Sequence, residues 1–249
     1  MRLLVAALGT VRSLLFTLPL IYLCTIVLGL LAWMLSPLDP GAQCQHALAR
    51  LWARIILAVS LVRVQVRGRE KLEPGRPYVY VANHQSYMDI PILFACLPVG
   101  FRILAKASLF PIPFLGWYLR RTGNLPISFG RKGVYAEARQ LLQAVRYLRQ
   151  GQPLVVFPEG GRSVSGQLEE FRTGIFWAAV KAGAPLASLT IVGSRRVLPC
   201  GSWHIRPSRV QLIIDGPVST EGLQRAQLDA LVARVRRQID QNLQGAQHD

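Results

Sequence analysis

Three stretches of this chain carry residue types that could do chemistry together. The first is Asn83-His84-Gln85-Ser86-Tyr87-Met88-Asp89, which follows the apolar run YVYVA. His84 therefore stands at the carboxyl end of a predicted buried strand, where open α/β sheets place ligands. Asp89 comes five residues later, in the first turn of the next predicted helix. A turn between them brings the carboxylate back to the ring. A carboxylate on one imidazole nitrogen fixes the tautomer and leaves the other nitrogen as a general base. The dyad awaits a hydroxyl from elsewhere: Gly-x-Ser-x-Gly is absent, which leaves a Ser-His-Asp hydrolase without support. The plainer reading of His-x4-Asp is a strand-capping histidine with Asp89 as a helix cap.

The second stretch, Phe157-Pro158-Glu159-Gly160-Gly161-Arg162-Ser163, follows the apolar run LVV. Its glycines let backbone approach a ligand, and the guanidinium of Arg162 is a fork suited to phosphate. Glu159 repels phosphate, so it orients Arg162 or accepts a hydroxyl hydrogen bond. The alternative is a glycine turn with a surface ion pair. The third stretch begins at Lys106, at the end of FRILA, and runs through turn-rich sequence to Arg131 and Lys132. Three strand ends then present a base, an ammonium and a guanidinium. Such a set could deprotonate a hydroxyl on a molecule that carries a phosphate. The run FPIPFLGWY nearby suits either an acyl groove or ordinary core.

The elements that must position these groups are legible as runs. Candidate strands lie at 62–68, 78–83, 101–105, 154–157, 186–192 and 210–215, several of them continuously apolar, as in strands buried on both faces. Helical spacing recurs at Val134, Ala138, Leu141, Leu142, Val145 and Leu148, and at Leu228, Leu231, Val232, Val235 and Ile239. The alternation predicts an α/β fold, a mixed, mostly parallel sheet flanked by helices.

Before that domain the chain changes character. No charged residue occurs from Ser13 to Leu38, a stretch long enough to span a ~30 Å hydrocarbon core. A segment at Cys44–Leu61 follows, with His46, Arg50 and Arg54 on one face and Leu48, Leu51, Trp52, Ile55 and Val59 on another. It reads as an interfacial helix or as one packed on the domain. Residues 1–61 are expected to form a membrane-associated hairpin or anchor, and residues 62–249 one α/β domain. Arginines flank the apolar run on both sides, which fits a hairpin that enters and leaves on one face or a single span with the main domain cytosolic; both arrangements keep residues 62–249 on the cytosolic side, at an inner (cytoplasmic) membrane. The four scattered cysteines suit a reducing compartment.

Composition agrees. The chain has 249 residues, 51% of them hydrophobic, and a net charge of +16. High charge and high apolar content together exclude a disordered basic arm. The polyanion that the charge implies is an anionic membrane surface, since no groove-reading motif and no exposed-aromatic pattern supports nucleic acid. The four histidines have no metal-ligand spacing.

NHQSYMD resembles the Asn-His-x4-Asp motif of the glycerolipid acyltransferases, and FPEGGRS resembles their Phe-Pro-Glu-Gly-Thr-Arg-Ser motif. The similarity covers roughly residues 75–200 and lies nearest the 1-acyl-sn-glycerol-3-phosphate acyltransferases. It implies transfer of a fatty acyl group from acyl-carrier protein or acyl-CoA to the sn-2 hydroxyl of a lysophospholipid, giving phosphatidic acid, with no cofactor besides the acyl donor. Carried over by position, His84 is the general base and Asp89 its orienting partner. Glu159, Gly160, Gly161 and Arg162 form the acceptor loop, and Lys106 and Arg162 hold the acceptor phosphate. Arg131 stands for the family's displaced arginine. Gly161 replaces the usual threonine, and Ser188 the usual proline of a later element. These departures keep another acceptor open, such as a lyso-ornithine lipid. A non-catalytic basic membrane-surface protein is the reading from a different class.

Overall fold

The computed structural model describes residues 2–128 and 134–246. Arg131, Lys132 and His248 lie outside them. Seven strands form one sheet: β1 (Val62–Arg67), β2 (Val79–Ala82), β3 (Arg102–Lys106), β4 (Leu125–Ile127), β5 (Leu154–Val156), β6 (Leu186–Val192) and β7 (Ser208–Ile214), in the order β1-β7-β6-β2-β5-β3-β4. All neighbours run parallel except β6 and β7. The six predicted strands are present. The seventh, β4, is only Leu-Pro-Ile, too short and too proline-bound to announce itself by pattern.

The helices are α1 (Arg2–Arg12), α2 (Leu18–Leu35), α3 (Gln43–Val59), α4 (Asp89–Cys96), α5 (Leu115–Arg121), α6 (Val134–Arg149), α7 (Gly174–Ala182), α8 (Ser194–Val197) and α9 (Leu228–Gly245). They cover both faces of the sheet. Ala144, Val145, Phe176, Val235 and Ile239, from α6, α7 and α9, pack over one face, while Ile56 and Leu57 of α3 and Ile92 and Leu93 of α4 pack over the other. Strands buried on both sides need continuous apolar sequence, and β2 has it: Val79 to Ala82 are at most 1% exposed.

The long apolar helix does not break at Pro19. Ser13–Thr17, just ahead of it, form a π-helical turn that joins α1 to α2. A proline lacks the N–H that a carbonyl four residues earlier needs, and a wider turn lets such a carbonyl pair one residue further on. Most of the large side chains of α2 are exposed, among them Leu23, Ile26, Val27, Trp33 and Met34.

Both ends of this helix are bound to the α/β domain. Near its start, Arg12 Nη2 donates to the Ile205 carbonyl at 2.6 Å. Ser13 Oγ donates to the same carbonyl and accepts from Ile205 N. Past its far end, Arg121 of α5 donates to Ser36 Oγ at 2.6 Å, to the Ser36 carbonyl at 3.0 Å and to the Asp39 carbonyl. Between these points Leu18 and Ile21 touch the core, and Trp52 Nε1 of α3 donates to Thr25 Oγ1 at 2.9 Å.

Helix α3 returns antiparallel to α2 and packs against α4. Its buried stripe is Gln45, Ala49, Ala53, Ile56 and Leu57. The expected apolar face at Leu48, Leu51, Trp52, Ile55 and Val59 is half-buried, with Leu51 exposed. Small alanines admit a closer helix approach than large residues, so the deepest contact runs one residue over from the hydropathy maximum.

Candidate functional site

The strand order decides what meets. β2, β5 and β3 are neighbours and parallel, so His84, Glu159 to Arg162 and Lys106 emerge at one edge of the sheet. Asp89 opens α4, whose first turn faces back toward β2.

His84 Nδ1 and Asp89 Oδ2 are 2.7 Å apart. The same oxygen accepts from Gln85 N at 2.8 Å and Ser86 N at 2.9 Å. Asp89 is fully buried, while the His84 side chain is 16% exposed. The carboxylate requires a proton on Nδ1, so Nε2 presents its lone pair outward. The ring lies stacked on Phe157, with centroids 4.1 Å apart and planes at 22°. Held on one side by the Asp89 carboxylate and on one face by an aromatic ring, the imidazole has one nitrogen, Nε2, left without a partner from these two.

Glu159 takes a different part from the one expected of it. Its Oε1 accepts from His84 N at 2.7 Å and its Oε2 from Glu169 N at 3.0 Å. Both oxygens are thus engaged by backbone, and the carboxylate ties the second motif to the histidine of the first. Burial pushes its carboxyl above the usual carboxylate range, against the opposing pull of these two N–H donors and of His84. Ser163 N closes the same joint by donating to the His84 carbonyl at 2.8 Å. Glu159→Gln keeps one acceptor oxygen but turns an NH2 toward the other backbone N–H. The expected result is a loss of about 1–2 kcal/mol in stability and a lower kcat, with the acceptor KM unchanged. Thermal unfolding and steady-state kinetics on one preparation check this, and a raised acceptor KM with kcat intact would return Glu159 to substrate binding.

Gly160 has φ +75°, a left-handed conformation that requires glycine there. Gly161 does not have this restriction. A Cβ built on it meets nothing within 4 Å, so the loop has room for the side chain that the family motif carries at this position. Arg162 lies over the ring of Tyr87, its Cζ 3.5 Å from the centroid. Lys106 is exposed at the end of β3, two strands from β2, or about 10 Å at the usual strand spacing. No hydrogen bond or ion pair among the described residues joins it to His84 or Arg162. Ser188 is buried in β6 and donates to Gln238 Oε1 of α9 at 2.7 Å, so this departure is matched by a partner on the sheet's far face. The FPIPFLGWY run and the leucine after it divide: Phe110 and Leu119 are core, and Ile112, Phe114 and Leu115 are exposed.

Several further residues shape the site without a motif of their own. Asn83 pairs with both the N–H and the carbonyl of Ile191, at 2.7 and 3.0 Å. Ser86 Oγ donates to the Leu198 carbonyl, and Gln85 Nε2 to the Gly166 carbonyl, each at 2.8 Å. The polar character of NHQS at a strand end is the signal that could have found them, since buried polar side chains need partners.

Comparison with known proteins gives a consistent picture. The Acyltransferase family model matches residues 63–192. A 1-acyl-sn-glycerol-3-phosphate acyltransferase of Chlamydomonas reinhardtii is 37% identical over 172 residues, 68% of this chain and 51% of that protein. This chain spans about half the length of that protein and of similar relatives from Arabidopsis thaliana and Brassica napus. A lyso-ornithine lipid O-acyltransferase of Pseudomonas aeruginosa is 31% identical over 238 residues, 87% of this chain and 89% of that one. The crystal structure of the 1-acyl-sn-glycerophosphate acyltransferase PlsC of Thermotoga maritima superposes with a TM-score of 0.82 at 26% identity, covering 97% of this chain and 98% of that one.

Proposed function

Because the chain belongs to the Acyltransferase family, we propose that it moves a fatty acyl group from a thioester to the sn-2 hydroxyl of 1-acyl-glycerol-3-phosphate, forming phosphatidic acid. The observation that carries this reading is the oriented dyad, with Nδ1 of His84 on buried Asp89 at 2.7 Å and Nε2 left for substrate. The acceptor hydroxyl gives its proton to Nε2 as its oxygen attacks the thioester carbonyl. The tetrahedral intermediate collapses, the carbon–sulfur bond breaks, and the imidazolium returns the proton to the leaving thiolate. Ester and thiol are the products, and Asp89 compensates the positive ring in between. Arg162 follows the strand next to that of His84 and Lys106 ends the strand beyond it, so the two cations lie in a row on one side of the dyad, where a phosphate near the reacting hydroxyl would meet Arg162 first and Lys106 further out. Alignment of two bound substrates adds to proton transfer in lowering the barrier. The donor is acyl-carrier protein or acyl-CoA, either of which the basic chain attracts.

A second reading, a lyso-ornithine lipid as acceptor, is favoured by the Pseudomonas aeruginosa relative that aligns along nearly the whole of both chains. One assay separates the two: purified protein in phosphatidylcholine vesicles, a labelled long-chain donor, and lysophosphatidate or lyso-ornithine lipid in turn. Lysophosphatidate is expected to give the higher kcat/KM. Preference for the lyso-ornithine lipid overturns the phosphate reading and keeps the reaction.

The membrane reading rests on the two bound ends of the apolar helix. Arg12 and Ser36 are 24 residues apart, about 36 Å of helix. A water-soluble domain that touches both ends cannot stand on one side of a ~30 Å hydrocarbon core while the helix crosses it. Residues 1–61 therefore form a hairpin whose α2 lies along one leaflet, with its exposed face among the acyl chains, and residues 62–249 form the catalytic domain on the cytosolic side. The four unpaired cysteines suit that compartment. In a variant without native cysteines, Leu8→Cys and Leu38→Cys are expected to react with a water-soluble maleimide from the same side of the membrane. Labelling from opposite sides means a crossing helix.

A further inference from the structure

Tyr87 takes no part in the proton transfer, yet it holds an unusual position. It belongs to the loop of the first motif, between the base and its carboxylate, and its side chain is among the more exposed aromatics, at 61%. What lies on it is the guanidinium of Arg162, from the loop of the second motif, at 3.5 Å from the ring centroid. Among the described residues no carboxylate stands within ion-pair distance of Arg162. Its Nη1 is buried without a hydrogen-bond partner.

An arginine can be held in place in two ways. A carboxylate takes two of its N–H groups and cancels its charge. An aromatic face instead attracts the flat side of the cation and leaves the N–H edge untouched. Arg162 is held in the second way, so its charge and its planar fork stay available to an anion. A buried, unpartnered Nη1 carries a desolvation cost that an incoming oxygen relieves.

We propose that Tyr87 is the positioning residue for acceptor recognition: its ring fixes the plane of Arg162 so that the N–H edge meets the anionic headgroup of the lyso-lipid. The proposal rests on the acceptor reading given above. It also makes the pair a selector, because an acceptor without an anion next to the reacting hydroxyl gains nothing from a preset fork.

The test is a double-mutant cycle on the full chain in phosphatidylcholine vesicles, with lysophosphatidate as the varied acceptor. Tyr87→Leu is expected to raise the acceptor KM by roughly 3- to 30-fold, the range of a cation–π contact, with kcat and the donor KM unchanged. Tyr87→Phe keeps the ring and is expected to retain the wild-type KM. In an Arg162→Ala background, Tyr87→Leu is expected to add nothing. Full additivity of the two substitutions, or a Tyr87→Phe variant as impaired as Tyr87→Leu, overturns the proposal. So does an effect of Tyr87→Leu on kcat or the donor KM in place of the acceptor KM. A wild-type protein that acylates no anionic lyso-lipid overturns the acceptor reading itself, and is told apart because it fails before any variant is made.

Discussion

On the proposed reaction, His84→Ala is expected to lower kcat for acyl transfer by about 10²–10⁴-fold, the usual worth of a positioned general base, and to leave any membrane association unchanged. The side chain is a surface-reaching part of a loop whose backbone is held independently, by Glu159 at His84 N and by Ser163 at the His84 carbonyl. Its removal should therefore cost chemistry more than folding. Asp89→Asn is the companion experiment. The amide oxygen can keep the Oδ2 position, where Nδ1, Gln85 N and Ser86 N converge, but it carries no charge to compensate the imidazolium, and its NH2 is left at the buried Oδ1 position, which has no partner. A fall in kcat comparable to that of His84→Ala is expected, together with a stability loss that His84→Ala lacks. The double variant should be scarcely slower than either single one, because the two residues act as a unit. Rates are read as thiol release with acyl-CoA and lysophosphatidate. Wild-type turnover in His84→Ala means the dyad is structural and the hydroxyl is activated elsewhere.

Asn83→Ala is expected to be the most destabilising single change near the site. The Asn83 side chain is fully buried, and its amide pairs with both the N–H and the carbonyl of Ile191 in β6. It thereby extends the ladder between β2 and β6 by one more rung after the β2 backbone has turned away toward His84. Alanine leaves two buried backbone groups unpaired, at about 1–3 kcal/mol each, or roughly 2–6 kcal/mol in all. Against a typical total of ~5–15 kcal/mol this is a large share. For a chain of this size it corresponds to a fall in Tm of about 5–20 °C, measured by tryptophan fluorescence in detergent. Residual folded protein should also turn over more slowly, since His84 is the next residue. A Tm change within 1–2 °C of wild type would show that the rung is dispensable.

These residues also mark what sequence could and could not disclose. Strands β2, β5 and β6 were legible because burial on both faces demands nearly unbroken apolar runs, and β1 and β7 because apolar residues alternate there with polar ones; the ends of β2, β3 and β5 located the base, the ammonium and the guanidinium candidates. Pairing of His84 with Asp89 followed from a five-residue offset across a turn. Other features depend on tertiary partners and have no local signature. Strand β4 exists because β3 offers it an edge, not because Leu-Pro-Ile favours extension. The buried stripe of α3 runs through Ala49 and Ala53, where closeness of approach outweighs hydropathy. The motif alone suggests a ligand or Arg162 as the partner of Glu159, yet its two oxygens answer backbone donors that only the folded loops bring near. Nothing local to Tyr87 marks it either, since the residue that rests on its ring, Arg162, comes from the other motif.

The doubly bound helix has a kinetic consequence. On the proposed placement of α2 along one leaflet, the hydrogen bonds of Arg12 and Ser13 at one end and of Arg121 at the other set the height of His84 above the lipid. An acyltransferase so fixed would sample its acceptor by lateral diffusion in two dimensions. Its rate should follow the mole fraction of lyso-lipid in the bilayer, falling as inert phospholipid is added at constant bulk concentration. Surface dilution, rather than the amount of substrate in the tube, is then the variable that governs turnover.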